Sequence, residues 1–254
     1  MPCVEDPSTL VYDFDSWDVP EFKPFLVPYI MEDQTDAKGN IILVSGGGFT
    51  HRANDAEGYT IAPLFNEMGY NVFVLQRRVA PYDTMDIFMD LQRAIRVVRH
   101  NIEAWGLGSD YMIINGYSGG GATVMGVIQN LYGDIQPSEF DPNYTPDEID
   151  AENSDVNAAF VIYGAGASLP DNENGTVFKL DNPELPALFI AVGAKDAIDS
   201  SIILAQEANE LTLVDLHIFG NTGHGFGKGL PKSNSGYWME MADNSVAIDK
   251  ATSK

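Results

Sequence analysis

The sequence is short of cysteine, of basic residues and of long apolar runs. Cys3 is its one cysteine, so neither an internal disulfide nor a thiolate zinc site can form. Only 14 Lys and Arg stand against 37 Asp and Glu, a formal charge of −23. A chain so poor in positive charge lacks the basic face that nucleic acids and anionic membranes require. No window approaches the roughly 20 apolar residues of a membrane span. The first residues, MPCVEDPSTLVYDFDSW, are acidic where a signal peptide is basic. The expected settings are therefore a cytoplasmic chain, or a secreted one whose signal has been removed. In the second case Cys3 would be the place for a lipid.

What is present is ordinary for a folded protein. Hydrophobic residues make up 44% of the 254 and charged residues 20%, which excludes wholesale disorder. The length suits one α/β domain over residues 1–254. No internal repeat or low-complexity tract interrupts it.

Short β-branched runs alternate with helical stretches, the pattern of a mostly parallel sheet with helices on both faces. The strands are expected at Ile41–Ser45, Asn71–Gln76, Tyr111–Asn115, Ala158–Tyr163, Ala187–Val192 and Val214–Phe219. Each is a continuous apolar run of the kind buried on both faces. Leu10–Phe14 and Phe25–Met31 are expected to form an edge hairpin, since Pro28 suits only an edge. Helices are expected at Glu57–Met68, Met85–Trp105, Gly120–Leu131, Ser200–Leu211 and Gly236–Ile248. The last, with Trp238, Met239, Met241 and Ile248, reads as a final core helix. The polar side of the long second helix, with Gln92, Arg93, Arg96 and Arg99, reads as a solvated or ion-paired surface.

Residues 134–155 break the rhythm with eight acidic residues and three prolines. Within this insertion Thr145-Pro146-Asp147-Glu148 has the form of a helix start, with Thr145 as N-cap. The insertion is either a rim over a site or a solvated acidic loop. As a rim it would disfavour anionic substrates.

Chemistry is concentrated in three loops. Gly116-Tyr117-Ser118-Gly119-Gly120 fits G-x-S-x-G between an apolar strand and a small-residue helix, the context of a nucleophile elbow. Its outer glycines are needed where backbones approach too closely for a side chain. A serine hydroxyl needs a base. Of the four histidines, His217 lies in a predicted strand, His100 late in a helix, and His51 after the first glycine-rich turn. His224 sits in the Gly220–Gly229 loop after the last strand, where parallel sheets build their sites. The acid that orients it is expected at Asp196, at the end of strand Ala187–Val192. Asp199 is the alternative, since it could instead cap the following helix. The order Ser118, Asp196, His224 is that of the α/β-hydrolases. Oxyanion donors are expected from the Gly119 amide and from Gly47 and Gly48 in Ser45-Gly46-Gly47-Gly48-Phe49. A phosphate loop there would need G-x-x-x-x-G-K-[ST] or G-x-G-x-x-G, and neither occurs.

These segments resemble a known family. SGGGF after the first central strand resembles the HGGG-type loop of the α/β-hydrolase esterases, and GYSGGG resembles their elbow, often G-x-S-A-G-G. The acid and histidine loops are similar to theirs. NVFVLQRRVAP, residues 71–81, resembles the branch that includes acetyl xylan esterases and dienelactone hydrolases. The resemblance covers residues 41–227. It implies an α/β-hydrolase fold and a serine carboxylic-ester hydrolase with no metal or organic cofactor. The substrate would be a small-molecule or carbohydrate ester, of acetyl type. Ser45 departs from the histidine that braces the oxyanion loop in many relatives. Gly119 departs from the common alanine but keeps its backbone donor. Two rival readings are a serine peptidase of the same fold and a non-catalytic binding protein. The first lacks a second domain to select peptide ends; the second leaves Ser118, Asp196 and His224 unexplained. Nothing in the sequence indicates an oligomeric state.

Overall fold

A computed structural model describes residues 21–165 and 185–252. Among these described residues, seven strands form one sheet: β1 (Phe25–Tyr29), β2 (Gly39–Val44), β3 (Tyr70–Gln76), β4 (Met112–Tyr117), β5 (Ala158–Ile162), β6 (Ala187–Gly193) and β7 (Val214–Phe219). Their order is β1-β3-β2-β4-β5-β6-β7. All neighbours run parallel except β1, which pairs antiparallel with β3. Pro28 lies in β1, at the edge, where its missing N–H costs no ladder bond. Its expected hairpin partner, Leu10–Phe14, lies outside the described residues.

Continuous apolar strands are what a doubly covered sheet needs. Ile42 and Val44 of β2 turn to one core with Leu91, Ile95 and Val124. Ile41 and Leu43 turn to the other, with Phe65, Phe160 and Trp238. The first core lies under α2 (Thr84–His100), α3 (Gly119–Asn130) and α4 (Ile198–Ala208). The second lies under α1 (Ala62–Glu67) and α5 (Trp238–Thr252).

Several expected helices change shape. Glu57–Met68 is not one helix. It divides into a π-helical turn over Asp55–Tyr59 and α1, with Pro63 in the first turn of α1. Proline is tolerated at a helix start but not inside one. α2 is capped by Asp83, whose carboxylate accepts from the Asp86 amide at 2.9 Å, and it ends at His100 rather than Trp105. The Asn101 side chain donates to the Val97 carbonyl at 2.8 Å, and the chain leaves through turns. α4 begins at Ile198 and takes Asp199 into its first turn. α5 buries Trp238 and Met239 as expected, but Ile248 is 50% exposed.

The acidic insertion docks on α2. Thr145 does not cap a helix. The turn is a 3-10 helix over Glu148–Ala151, capped by Asp147, and Asp150 reaches back to the Asp147 amide. The carboxylates take the capping role because arginines on α2 hold them. Arg93 grips Asp147 through two bonds of 2.8 and 2.6 Å. Arg96, fully buried, lies 3.4 Å from Asp150. The polar face of α2 is therefore ion-paired through Arg93 and Arg96 and covered in large part by the insertion. Its hydrogen bond to Arg93 holds the Asp147 carboxyl down at about 2. Among the described residues, no helix is long and apolar enough to cross a membrane.

Candidate active site

The carboxyl ends of β2, β4, β6 and β7 feed the loops that the sequence marks. Ser118 follows β4 as the N-cap of α3, with φ 50° and ψ −120°. A non-glycine residue at positive φ is costly. It is held here by its own amide, which donates to the Ile162 carbonyl at 3.0 Å. The elbow's glycines have no space for a side chain. A Cβ on Gly116 would lie 2.3 Å from the Gly120 carbonyl oxygen, and one on Gly120 would lie 2.1 Å from that of Val44.

His224 stands between Ser118 and Asp196. Its Nε2 is 2.8 Å from Ser118 Oγ, and its Nδ1 is 2.8 Å from Asp196 Oδ2. Asp196 is fixed by its own amide, which donates a hydrogen bond to the Gly193 carbonyl at 2.9 Å, and by the Ala197 amide, which donates to Oδ1 at 2.8 Å. The end of β6 meets the histidine loop so closely that a Cβ on Gly193 would lie 2.5 Å from the Thr222 carbonyl oxygen. Asp199 is exposed in the first turn of α4. His100 instead faces Glu152 of the insertion at 3.1 Å, and the His217 ring packs against Phe189.

The Ser45–Phe49 loop lies against the elbow. A Cβ on Gly119 would stand 2.8 Å from Gly48 Cα. Gly47 and Gly48 have φ of +103° and +60°, open to glycine and strained for other residues. The loop has its own braces. Ser45 Oγ donates to Asn54 Oδ1 at 2.7 Å, and Asn54 Nδ2 donates to Gln76 Oε1 at 2.7 Å. Arg77, fully buried, donates to the Ser45 and Gly46 carbonyls.

Two residues at the site are absent from the sequence reading. Glu57 accepts from the Gly46 amide and from the Tyr163 hydroxyl, both at 2.7 Å. Tyr163 follows β5 at φ 41°, and its ring lies edge-on to His224, centroids 5.0 Å apart. Burial and the neighbouring Glu57 push its phenol well above the ordinary tyrosine value, so it stays a hydrogen-bond donor. The sequence offers no local signal for either, because Glu57 lies in a π-helical turn separate from α1 and its partner Tyr163 is 106 residues away.

A cavity of about 170 Å³ opens on Ser118 and His224, with Tyr163, Val192 and Ser201 in its wall. No residue of the 134–155 insertion lines it. A larger space, about 450 Å³, lies between α2 and the insertion. Its arginines and aspartates are engaged with one another, as in Arg78 with Asp86 and Asp90. None of its lining residues belongs to the Ser118, His224 and Asp196 relay, so size does not mark the chemistry. Among the described residues, no group of three or more His, Cys, Asp or Glu side chains is placed to hold a metal ion.

Comparisons with known proteins bear on the fold and the family. The acetylxylan esterase of Xylanibacter ruminicola is 28% identical over 105 residues, 41% of this chain, and the matched part spans about a fifth (21%) of that relative. The acetyl ester-xyloside bifunctional hydrolase of Caldicellulosiruptor lactoaceticus superposes with a TM-score of 0.74 at 21% identity, over 93% of this chain and 97% of that one. A propionate-bound esterase of Thermogutta terrifontis gives a TM-score of 0.71 at 20% identity, over 91% of each chain. At such identities these two structures speak for the fold. The BD-FAE family model matches residues 28–198, well over half the chain. The chain has the α/β-hydrolase fold and belongs to the BD-FAE family.

Proposed function

We propose that the chain works as one domain and is a serine esterase that hydrolyses short-chain, acetyl-type esters, with acetylated carbohydrate as a candidate substrate. The observation that carries this reading is the relay of two 2.8 Å contacts from Ser118 through His224 to Asp196. Ser118 Oγ attacks the ester carbonyl carbon as its proton passes to His224 Nε2. Asp196 holds the imidazole with Nδ1 protonated and stabilises the imidazolium. The Gly119 amide, with Gly47 and Gly48 opposite, receives the negative oxygen. A donor so placed is worth about 3–4 kcal/mol of barrier. The imidazolium protonates the departing alcohol. Water, deprotonated by His224, then releases the acid from Ser118.

The small cavity of about 170 Å³ favours a short acyl group. The propionate held by the Thermogutta terrifontis esterase and the acetylxylan esterase relative support the same choice. An acyl-chain series of p-nitrophenyl esters beside acetylated xylan tests it. The expected kcat/KM is highest for acetyl and propionyl esters. A maximum at octanoyl or longer, or faster cleavage of a peptide anilide, would refute it.

A further inference from the structure

We propose that Glu57 is a positioning residue that ties the oxyanion loop to the histidine loop; the catalytic part of this proposal rests on the reading of Ser118 as nucleophile. Glu57 is buried, 7% exposed, behind the site. One carboxylate oxygen takes the Gly46 amide and the other the Tyr163 hydroxyl. The Tyr163 hydroxyl in turn accepts from the Gly227 amide at 3.1 Å, three residues past His224. Its ring also contacts the rings of His224 and Phe226. The Trp238 indole donates to the Gly227 carbonyl from the other side at 2.9 Å. Glu57 and Tyr163 together thus join the start of the glycine loop to the loop that carries the base.

The chemistry of the joint calls for a carboxylate. Both groups facing Glu57 are donors, and an ionised carboxylate is an acceptor at both oxygens. Glutamine would accept at one oxygen and present N–H at the other position. Either the Gly46 amide would then face a donor, or the Tyr163 hydroxyl would face two and lose the acceptor for its own proton. The space is also committed. A Cβ on Gly46 would lie 2.6 Å from Glu57 Oε2 and 2.9 Å from Ser118 Cβ. A side chain at position 46 would therefore strike the carboxylate or the nucleophile, which keeps this position a glycine.

The test compares wild type, Glu57→Gln, Tyr163→Phe and the double variant. It reads kcat and KM for an acetyl ester and amide hydrogen exchange at Gly46 and Gly227. Misplaced loops weaken the transition state more than substrate binding, so kcat falls about 10- to 100-fold while KM stays within about twofold. Exchange at Gly46 or Gly227 rises about tenfold in Glu57→Gln, as expected for one lost buried hydrogen bond. The double variant is no slower than the slower single one, because both cut one chain of contacts. Should Glu57→Gln fail to fold, Tyr163→Phe, which removes only a hydroxyl, gives the same readings. Unchanged exchange at both amides overturns the brace, and unchanged kcat with raised exchange overturns its bearing on catalysis. If the wild-type chain itself turns over no ester, the nucleophile reading fails, and exchange alone still decides the brace.

Discussion

Asp196 Oδ2 lies 2.8 Å from His224 Nδ1, whereas Asp199, three residues on, is exposed in the first turn of α4. The two aspartates that the sequence leaves open are thus separated by geometry. Asp196→Asn is expected to lower kcat by roughly three to four orders of magnitude, the scale for a lost orienting carboxylate. Asp199→Asn is expected to leave kcat within about twofold. Equal losses in the two variants, in steady-state hydrolysis of an acetyl ester, would contradict the assignment.

Gly119 is matched to Gly48. In a relative with alanine after the nucleophile the backbone donor survives, but here the added methyl would stand 2.8 Å from Gly48 Cα, C and O alike to within 0.1 Å. Gly119→Ala is expected to displace the glycine loop and lower kcat at least about tenfold. Full activity in that variant would mean that the loop yields freely.

Ser118, His224 and Asp196 were legible because each sits in a turn at the carboxyl end of a strand, and strands announce themselves by apolar runs. Pro28 marked the edge strand for a similarly local reason. Glu57 and Tyr163 were not, since the contact joining them spans 106 residues and depends on a π-helical turn that periodicity reads as plain helix. The same limit hid Asp147. The motif Thr145-Pro146 has the form of a cap, but the pull of Arg93 and Arg96 from α2 decides which residue caps the turn.

Asp90 links the fold to pH. Burial pushes its carboxyl up to about 6, against the opposing pull of Arg78. The unfolded carboxyl titrates near 3.8, so between the two values the folded state holds a proton that the unfolded state has lost. The stabilisation is complete below the unfolded value and is lost as pH rises through about 6. Asp90→Asn cannot ionise. Between pH 4 and 6 its stability, relative to wild type, is expected to improve by about 2 kcal/mol. Denaturant unfolding at the two pH values reads this directly, and a constant difference would contradict it.

The insertion is expected to carry charge for packing and not for the substrate. Asp147 and Asp150 are held on α2, and none of its residues lines the cavity at Ser118. Arg96→Ala leaves the buried Asp150 with less compensation and is expected to cost about 3 kcal/mol. That corresponds to a melting point lower by roughly 6–12 °C in a domain of this size, with kcat unchanged below the transition. A loss of kcat without a loss of stability would place the insertion at the site after all.

The central claim is that Ser118 is the nucleophile. A fluorophosphonate, which reacts covalently with an activated serine, should place its phosphonyl adduct on the peptide containing Ser118 and abolish hydrolysis of p-nitrophenyl acetate in the same proportion. Ser118→Ala should keep the wild-type melting point, take no label and turn over no ester. An adduct on another residue, or full ester hydrolysis by Ser118→Ala, would contradict the account.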